Sequence, residues 1–391
     1  MQKKYICLYL HVHQPFRLKN YTIFDIGKGQ DYFSLENKAI FDKVSTKSYL
    51  PANSLFLNAL KNNKDFKLNL SITGTIIEQM LKWNPAVLNS FKDLTSTKKV
   101  EIISETYYHS LASIYSLSEF KKQVYEHKKL VKNIFKQVPT YFRNTELIYS
   151  DYLAQVVEDM GYKGILAEGT EKILHWRSPN YLYKTNTKKG INLLLKNYKL
   201  SDDIAFRFSN KHWNEHPLTV EKYLHWIDNT PGELLNLFMD YETFGEHQWE
   251  DTGIFAFLEH FIKKATERGY KFLKVSEVKK HLNTQDVVSS PFIISWADTE
   301  RDISAWVDNA LQKDSLQKLY SLEESVLNSK NEYIIKLWRT LQTSDHFYYM
   351  CTKWFNDGSV HKYFSPYESP YEAFNNFNNV LIDLKANLLR R

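Results

Sequence analysis

With 391 residues and 43% hydrophobic side chains, the chain can bury a large core and is long enough for one big domain plus a smaller one. Lys and Arg number 51 against 45 Asp and Glu, a formal net charge of +6 spread along the whole length in doublets such as Lys121-Lys122 and Lys263-Lys264, so no clustered basic face points to nucleic acid. No apolar run approaches a membrane span, Ile6 to Leu10 is too short for a signal peptide, and Cys7 and Cys351 give neither a disulfide framework nor a zinc spacing; together these predict a reducing, cytoplasmic setting.

Taken in order, strands and helices alternate. Tyr5 to Val12 predicts a strand, Leu50 to Leu60 a helix, and Phe66 to Ile72 a second strand. Gly74 to Thr95 predicts one helix with Ile76, Ile77, Met80 and Leu81 on a face. Val100 to Ile103 is a third strand, Glu119 to Phe135 an amphipathic helix and Thr140 to Arg143 a fourth strand. Asp151 to Met160 is helical and closes at Gly161 as a C-cap would. Gly164 to Ala167 and Ile191 to Leu195 predict further strands, and Asp203 to Phe208 a further short one. Leu235, Leu237, Phe238 and Met239 fill another buried strand, followed by the helix Ile254 to Arg268. Such alternation implies a parallel sheet with helical crossovers, most simply closed into a barrel. Beyond about Leu282 the pattern changes, and Asp302 to Trp354 is helical in period. The predicted division is therefore a barrel over 1–285 and a helical domain over 286–391, joined through SWADTERDISAW, Ser295 to Trp306.

Aromatic residues make up 15% of the chain, with 26 Tyr and nine Trp. Most must be core, but Trp213 to Pro217 and Trp354 to Tyr371 lie in punctuated stretches where flat faces with polar edges suit sugar rings.

Polar side chains, most of them ionisable, recur just past the apolar strands. Asp240, Glu242, Glu246 and His247 follow the strand at Leu235; His11, His13 and Gln14 follow the first strand; Glu105 and His109 the third; Arg143 and Glu146 the fourth. The junction adds Trp296, Asp298, Glu300, Arg301, Asp302 and Trp306. Parallel strands would bring these exits to one end and into one pocket. Two chemistries compete for it. His11 and His13 alternate on a strand, a spacing used by metal-dependent hydrolases with a barrel carboxylate as a further ligand, although no second His or Cys pair completes a ligand set. Glu146 and Asp240 on separate exits suit one ionised nucleophile and one protonated acid.

HVHQP, ISETYYHS, RNTELIYSD, MDYETFGEHQ and SWADTERDISAWVDNALQ resemble, in this order, the five sequence regions of glycoside hydrolase family 57. The fourth and fifth, with LQTSDHFYYM from Leu341 to Met350, are most similar to its α-amylase branch. The resemblance implies an α/β fold, an incomplete seven-stranded TIM-like (β/α) barrel followed by a C-terminal helical bundle. It implies retaining chemistry on α-1,4-glucans or maltooligosaccharides with Glu146 as nucleophile, Asp240 as general acid/base and no required metal or cofactor. His13, Glu105, His109, His247, Trp296 and Trp306 match positions that line the family's cleft. His11, Gln14, Arg143 and Asp298 join them as substrate-binding candidates. Glu146 then needs a low pKa, from Arg143 or a protonated histidine, and Asp240 a raised one, from Glu242, Phe238 or Phe244. Glucanotransferase or branching activity is the nearest alternative; a silent glucan-binding protein and a metal-dependent deacetylase are alternatives of another class.

Overall fold

A computed structural model describes residues 3–353 and 365–389 of the chain. The strands are β1 (Tyr5–Val12), β2 (Leu68–Ile72), β3 (Val100–Ile102), β4 (Tyr141–Arg143), β5 (Gly164–Glu168), β6 (Leu182–Thr185), β7 (Asn192–Lys196), β8 (Leu234–Asp240), β9 (Lys271–Phe272) and β10 (Thr284–Val288). β1 is buried along its whole length, as a near-continuous apolar run must be to shed its water, and it holds the centre of one sheet. It pairs in parallel with β2 and β8, and with β9 at its start; β2 pairs with β3.

A second sheet runs β4, β5, β7, all parallel, and then leaves the ring through antiparallel β6 and its parallel neighbour β10. The two sheets meet on one side where Ser104, just past β3, accepts from Arg143 N at 2.8 Å and donates its N–H to Tyr141 O at 3.0 Å. On the other side no ladder joins β7 to β8 among the described residues. Asn197 N–H reaches Asn236 O at 2.9 Å and the Asn236 amide reaches Leu195 O at 2.9 Å, while Ser201 Oγ takes the Phe238 N–H at 3.2 Å. The seven strands therefore form an incomplete barrel. The fully closed one that alternation implied is interrupted here, where one backbone bond and two side-chain bonds stand in for a ladder.

Two helix boundaries differ from the sequence expectation. The stretch Gly74 to Thr95 is two helices, Gly74–Trp83 and Pro85–Ser96, because Pro85 has no N–H to donate and Asn84 caps the second helix by accepting from Ala86 N. Asp203 to Phe208 is no strand: Asn197 caps a helix Tyr198–Ala205 that buries Leu200 and Ile204, four residues apart, on one face.

The helical part is built from Ala310–Ser321, Glu323–Asn328, Glu332–Thr340, Asp345–Tyr348 and Pro370–Leu389. The first begins later than Asp302, since Asn309 supplies its cap to Gln312 N and the segment before it is irregular. Trp338 sits wholly inside, its indole donating to Leu319 O at 2.8 Å. This core also takes in Leu18, Tyr21, Leu111 and Ile148 from the strand connections, and Arg339 pairs with Glu119 at 2.8 Å, so the helices are held against the barrel. Residues 354–364 of the aromatic stretch from Trp354 lie outside the described residues.

Candidate active site

The β4 exit turns sharply. Glu146 and Leu147 both adopt left-handed backbone conformations, φ 57° and 52°, which cost a non-glycine residue of order 1 kcal/mol or more and need fixed surroundings. Those surroundings are present: Thr145 and Thr106 hydroxyls meet at 2.8 Å, Tyr149 exchanges two backbone bonds with Ile294, and Trp296 N–H donates to Glu146 O at 3.2 Å. The junction segment is thereby stitched along the β4 exit.

The Glu146 carboxylate accepts from three side chains. His109 Nε2 lies 2.9 Å from Oε1, Ser344 Oγ 3.3 Å from the same oxygen, and Trp296 Nε1 2.7 Å from Oε2. Burial alone would raise its pKa, but the His109 bond and charge, aided by Arg143 and Trp296, hold it below the ordinary carboxylate value. His109 shows the converse: burial opposes its charge, yet bonds to Glu105 and Glu146 raise it to about 9.

Asp240 ends β8 beside His11, its register partner on β1. His11 Nδ1 lies 3.5 Å from Asp240 Oδ1 and its Nε2 3.1 Å from Glu105 Oε2. Glu105 has no exposed surface and also faces His109 Nδ1 at 3.6 Å and Arg143 Nη1 at 3.8 Å. Asp240 and Glu146 are thus joined through an unbroken His11–Glu105–His109 bridge. The expected raised pKa for Asp240 is not found. Against the effect of burial, His11, His247 and Arg143 lower it, whereas Glu242, buried and next to the Asp240 charge, is pushed up to about 8. Phe238 and Phe244 pack against Tyr9 and Phe56 respectively.

His13 is held from two sides, by Thr73 Oγ1 at 2.9 Å and Asp345 Oδ2 at 3.1 Å, and the three rings stack with His109 4.7 Å from His11 and 4.2 Å from His13. Burial and the neighbouring imidazoles lower His13 to about 4.

These groups line one cavity of about 440 Å³. His11, His13, Gln14, His109, Glu146, Asp240, His247, Trp296, Asp298 and Trp306 line it; Glu105 and Arg143 do not, being buried behind the histidines and, for Arg143, also against the Trp296 ring. Sequence reasoning did not single out Arg17, Lys196, Asp202, Asp345 and Tyr348, which also line it. Lys196 carried the same signal as Asp240, an ionisable residue ending an apolar strand. Asp345 and Tyr348 sit within LQTSDHFYYM but carry no strand signal, since a helix brings them.

Within each of two sets of donors, His11–Glu105–His109 and His13–His109–Asp345, the ligand atoms lie within 4.8 Å of one another. All six ring nitrogens of these histidines already have a protein partner, so a metal ion would have to displace bonds that the site uses. No helix among the described residues is long and apolar enough to cross a membrane.

The family described as Glycosyl hydrolase family 57 matches residues 7–291. A curated "Putative alpha-amylase" of Methanocaldococcus jannaschii is 45% identical over 389 residues, covering 96% of this chain and 82% of that one. The fold is similar to that of a branching enzyme from Pyrococcus horikoshii (TM-score 0.69, 15% identity, 92% of this chain and 87% of the other). It is also similar to a 4-alpha-glucanotransferase from Thermococcus litoralis (TM-score 0.67, 16% identity), where 89% of this chain spans 56% of the longer protein.

Proposed function

The chain belongs to glycoside hydrolase family 57, and from that premise we propose that it is a retaining hydrolase of α-1,4-glucans or maltooligosaccharides, of the α-amylase type. The observation that carries this reading is the setting of Glu146: an ionised carboxylate, clamped by His109, Trp296 and Ser344, in the lining of the cavity that Asp240 also lines. Glu146 attacks the anomeric carbon while Asp240 protonates the leaving oxygen, and Asp240 then draws the proton from the water that releases the sugar. Glu105 is unsuited to attack, because a carboxylate without exposed surface and bound by two imidazoles has no path to a sugar.

Asp240 is ionised in the free protein, so its proton must arrive. Glu242, two residues along and pushed up to about 8, keeps its proton at neutral pH and is the nearest store of one on the same turn. A glycosyl unit replacing water at Asp240 removes solvent from its carboxyl, which favours the neutral form. His247 and Gln14 can bond hydroxyls and Trp296 offers an indole face, whereas the ring nitrogens of His11 and His13 are already engaged and Trp306 is almost wholly buried, so these three shape the cavity.

Transfer to a sugar hydroxyl instead of water is the second reading, favoured by the names of the structural relatives. Chromatography of the products from one maltooligosaccharide separates the two. Hydrolysis yields only shorter chains; longer or branched chains would replace the amylase reading with transfer, and no cleavage at all would end both.

A further inference from the structure

Beside Trp296, four charged side chains form a closed ring to which the reaction chemistry assigns no task. Lys196 Nζ lies 3.0 Å from Asp202 Oδ1 and 3.7 Å from Glu168 Oε2. Arg301 reaches the same two acids, 3.1 Å to Asp202 Oδ2 and 3.6 Å to Glu168 Oε2. Each cation therefore touches both acids. The ring ties together the ends of β5 and β7, the helix Tyr198–Ala205 and the junction segment, and Glu168, Lys196 and Asp202 are all buried. Burying three ionisable groups costs desolvation that apolar packing would not, and that cost pushes Glu168 up to about 7, so stability gives a weak account of the ring.

Its contacts give a better one. Arg301 donates to the Trp296 carbonyl oxygen, and the Lys196 ammonium lies 5.1 Å from the centre of the Trp296 ring, close to the 5.0 Å of the Arg143 guanidinium. Both are within the range where a cation is attracted to an indole face. Arg301 itself is in a left-handed conformation, φ 49°, as is Asp298 at 52°, so this loop has the shape of one held from outside. Lys353 holds its far side, 3.7 Å from Asp298 and 3.4 Å from Glu300. At the end of this chain of contacts stands the 2.7 Å bond from Trp296 Nε1 to Glu146.

We infer that Arg301 and Lys196, locked by Glu168 and Asp202, are positioning residues that set the Trp296 indole so that it orients the Glu146 carboxylate for attack. Neither cation is within ion-pair distance of Glu146; both act through Trp296. The inference rests on Glu146 being the nucleophile. Apart from Trp296, Glu146 is faced by His109 and Ser344, the charge of Arg143 and the Tyr348 hydroxyl; none of these belongs to the ring.

The experiment compares Trp296→Phe, Arg301→Gln and the double variant on a maltooligosaccharide, with kcat, KM and the pH profile of kcat/KM. Losing a hydrogen bond to a charged acceptor is expected to lower kcat roughly tenfold and to move the acidic limb to higher pH, with KM within about twofold. Arg301→Gln should reproduce part of both changes, Arg301→Lys should restore some of the loss, and the double variant should be no worse than Trp296→Phe alone. If Arg301→Gln raises KM while kcat and the limb stay put, or if the two losses multiply, the ring binds sugar or acts elsewhere and the inference is wrong. Should Arg301→Gln fail to fold, Lys196→Met, which leaves the Arg301–Asp202 pair intact, carries the same expectations. Glu146→Ala, run in parallel, keeps the two failures apart: activity surviving there removes the nucleophile reading, whereas an inactive Glu146→Ala beside an unaffected Arg301→Gln removes only this inference.

Discussion

The exits of β4 and β8 each present one carboxylate to the same cavity, yet they are built differently. Glu146 stands on a left-handed backbone and accepts from an imidazole, an indole and a hydroxyl, leaving 17% of its side chain exposed. Asp240 continues an extended strand, has one imidazole at 3.5 Å and keeps 38% of its side chain exposed. A group that must approach carbon in one direction gains from being fixed, because orientation lost before the reaction need not be lost during it. A group that gives and takes a proton gains from access and from neighbours that change its charge. The unlike exits match the unlike duties proposed for them.

That contrast can be broken at its fixed end first. Glu146→Ala is expected to lose roughly a thousandfold or more of the activity, with azide restoring turnover from the vacated side to give a product of inverted configuration. Ordinary activity in this variant, or rescue with retained configuration, would contradict a nucleophile at β4. At the other exit, Asp240→Ala should depend on the leaving group: roughly a hundredfold or more on a maltooligosaccharide, and little on an activated aryl glycoside that departs without a proton. Equal losses on both substrates would make Asp240 a binding residue.

The third test concerns the bridge between the exits. His109 has a folded pKa of about 9 against an ordinary 6.5, so its contribution to stability is full below 6.5 and is lost as pH rises through 9. The difference is worth on the order of 3 kcal/mol. Denaturant melts should show the wild type losing stability between these pH values and His109→Gln losing less; parallel curves would mean that the imidazole is not held charged. A smaller effect is expected from Glu242→Gln, a change of a few-fold confined to the alkaline limb of kcat/KM, if the neighbouring carboxyl stores the proton that Asp240 delivers. Smallest of all, a chelator should leave activity unchanged, because the ring nitrogens of His11, His13 and His109 are engaged by protein groups; activity lost in chelator and regained with one metal would return the deacetylase chemistry to consideration.

Much of this was legible along the chain because it is local. A buried strand must be apolar, and the first ionisable residue after it marks where the chain leaves the core; that signal alone located His11, Glu105, Glu146 and Asp240, and parallel pairing brings their exits together. The strands off the ring were less visible. β6 and β10 are short, and β10 exposes three of its five residues, so apolar periodicity had little to register. The charge states were not legible at all. The sequence placed Glu242 beside Asp240 and led to a raised aspartate, but which of the two keeps the proton depends on His11, more than two hundred residues away and one strand across, and on Tyr49, whose hydroxyl bonds Glu242.

The sequence by itself determined the alternation of strands and helices, the points where polar groups leave the core, and through five ordered stretches the family. Only the tertiary structure decided that a helical segment brings Ser344 to Glu146 and Asp345 to His13, that Trp296 reaches Glu146 across 150 positions, and that Arg301 closes a ring with residues of two strands and a helix. The physical reason is range. Burial and backbone preference act between near neighbours and are written in order along the chain, whereas a pKa or a hydrogen bond answers to whatever lies within a few ångströms in space.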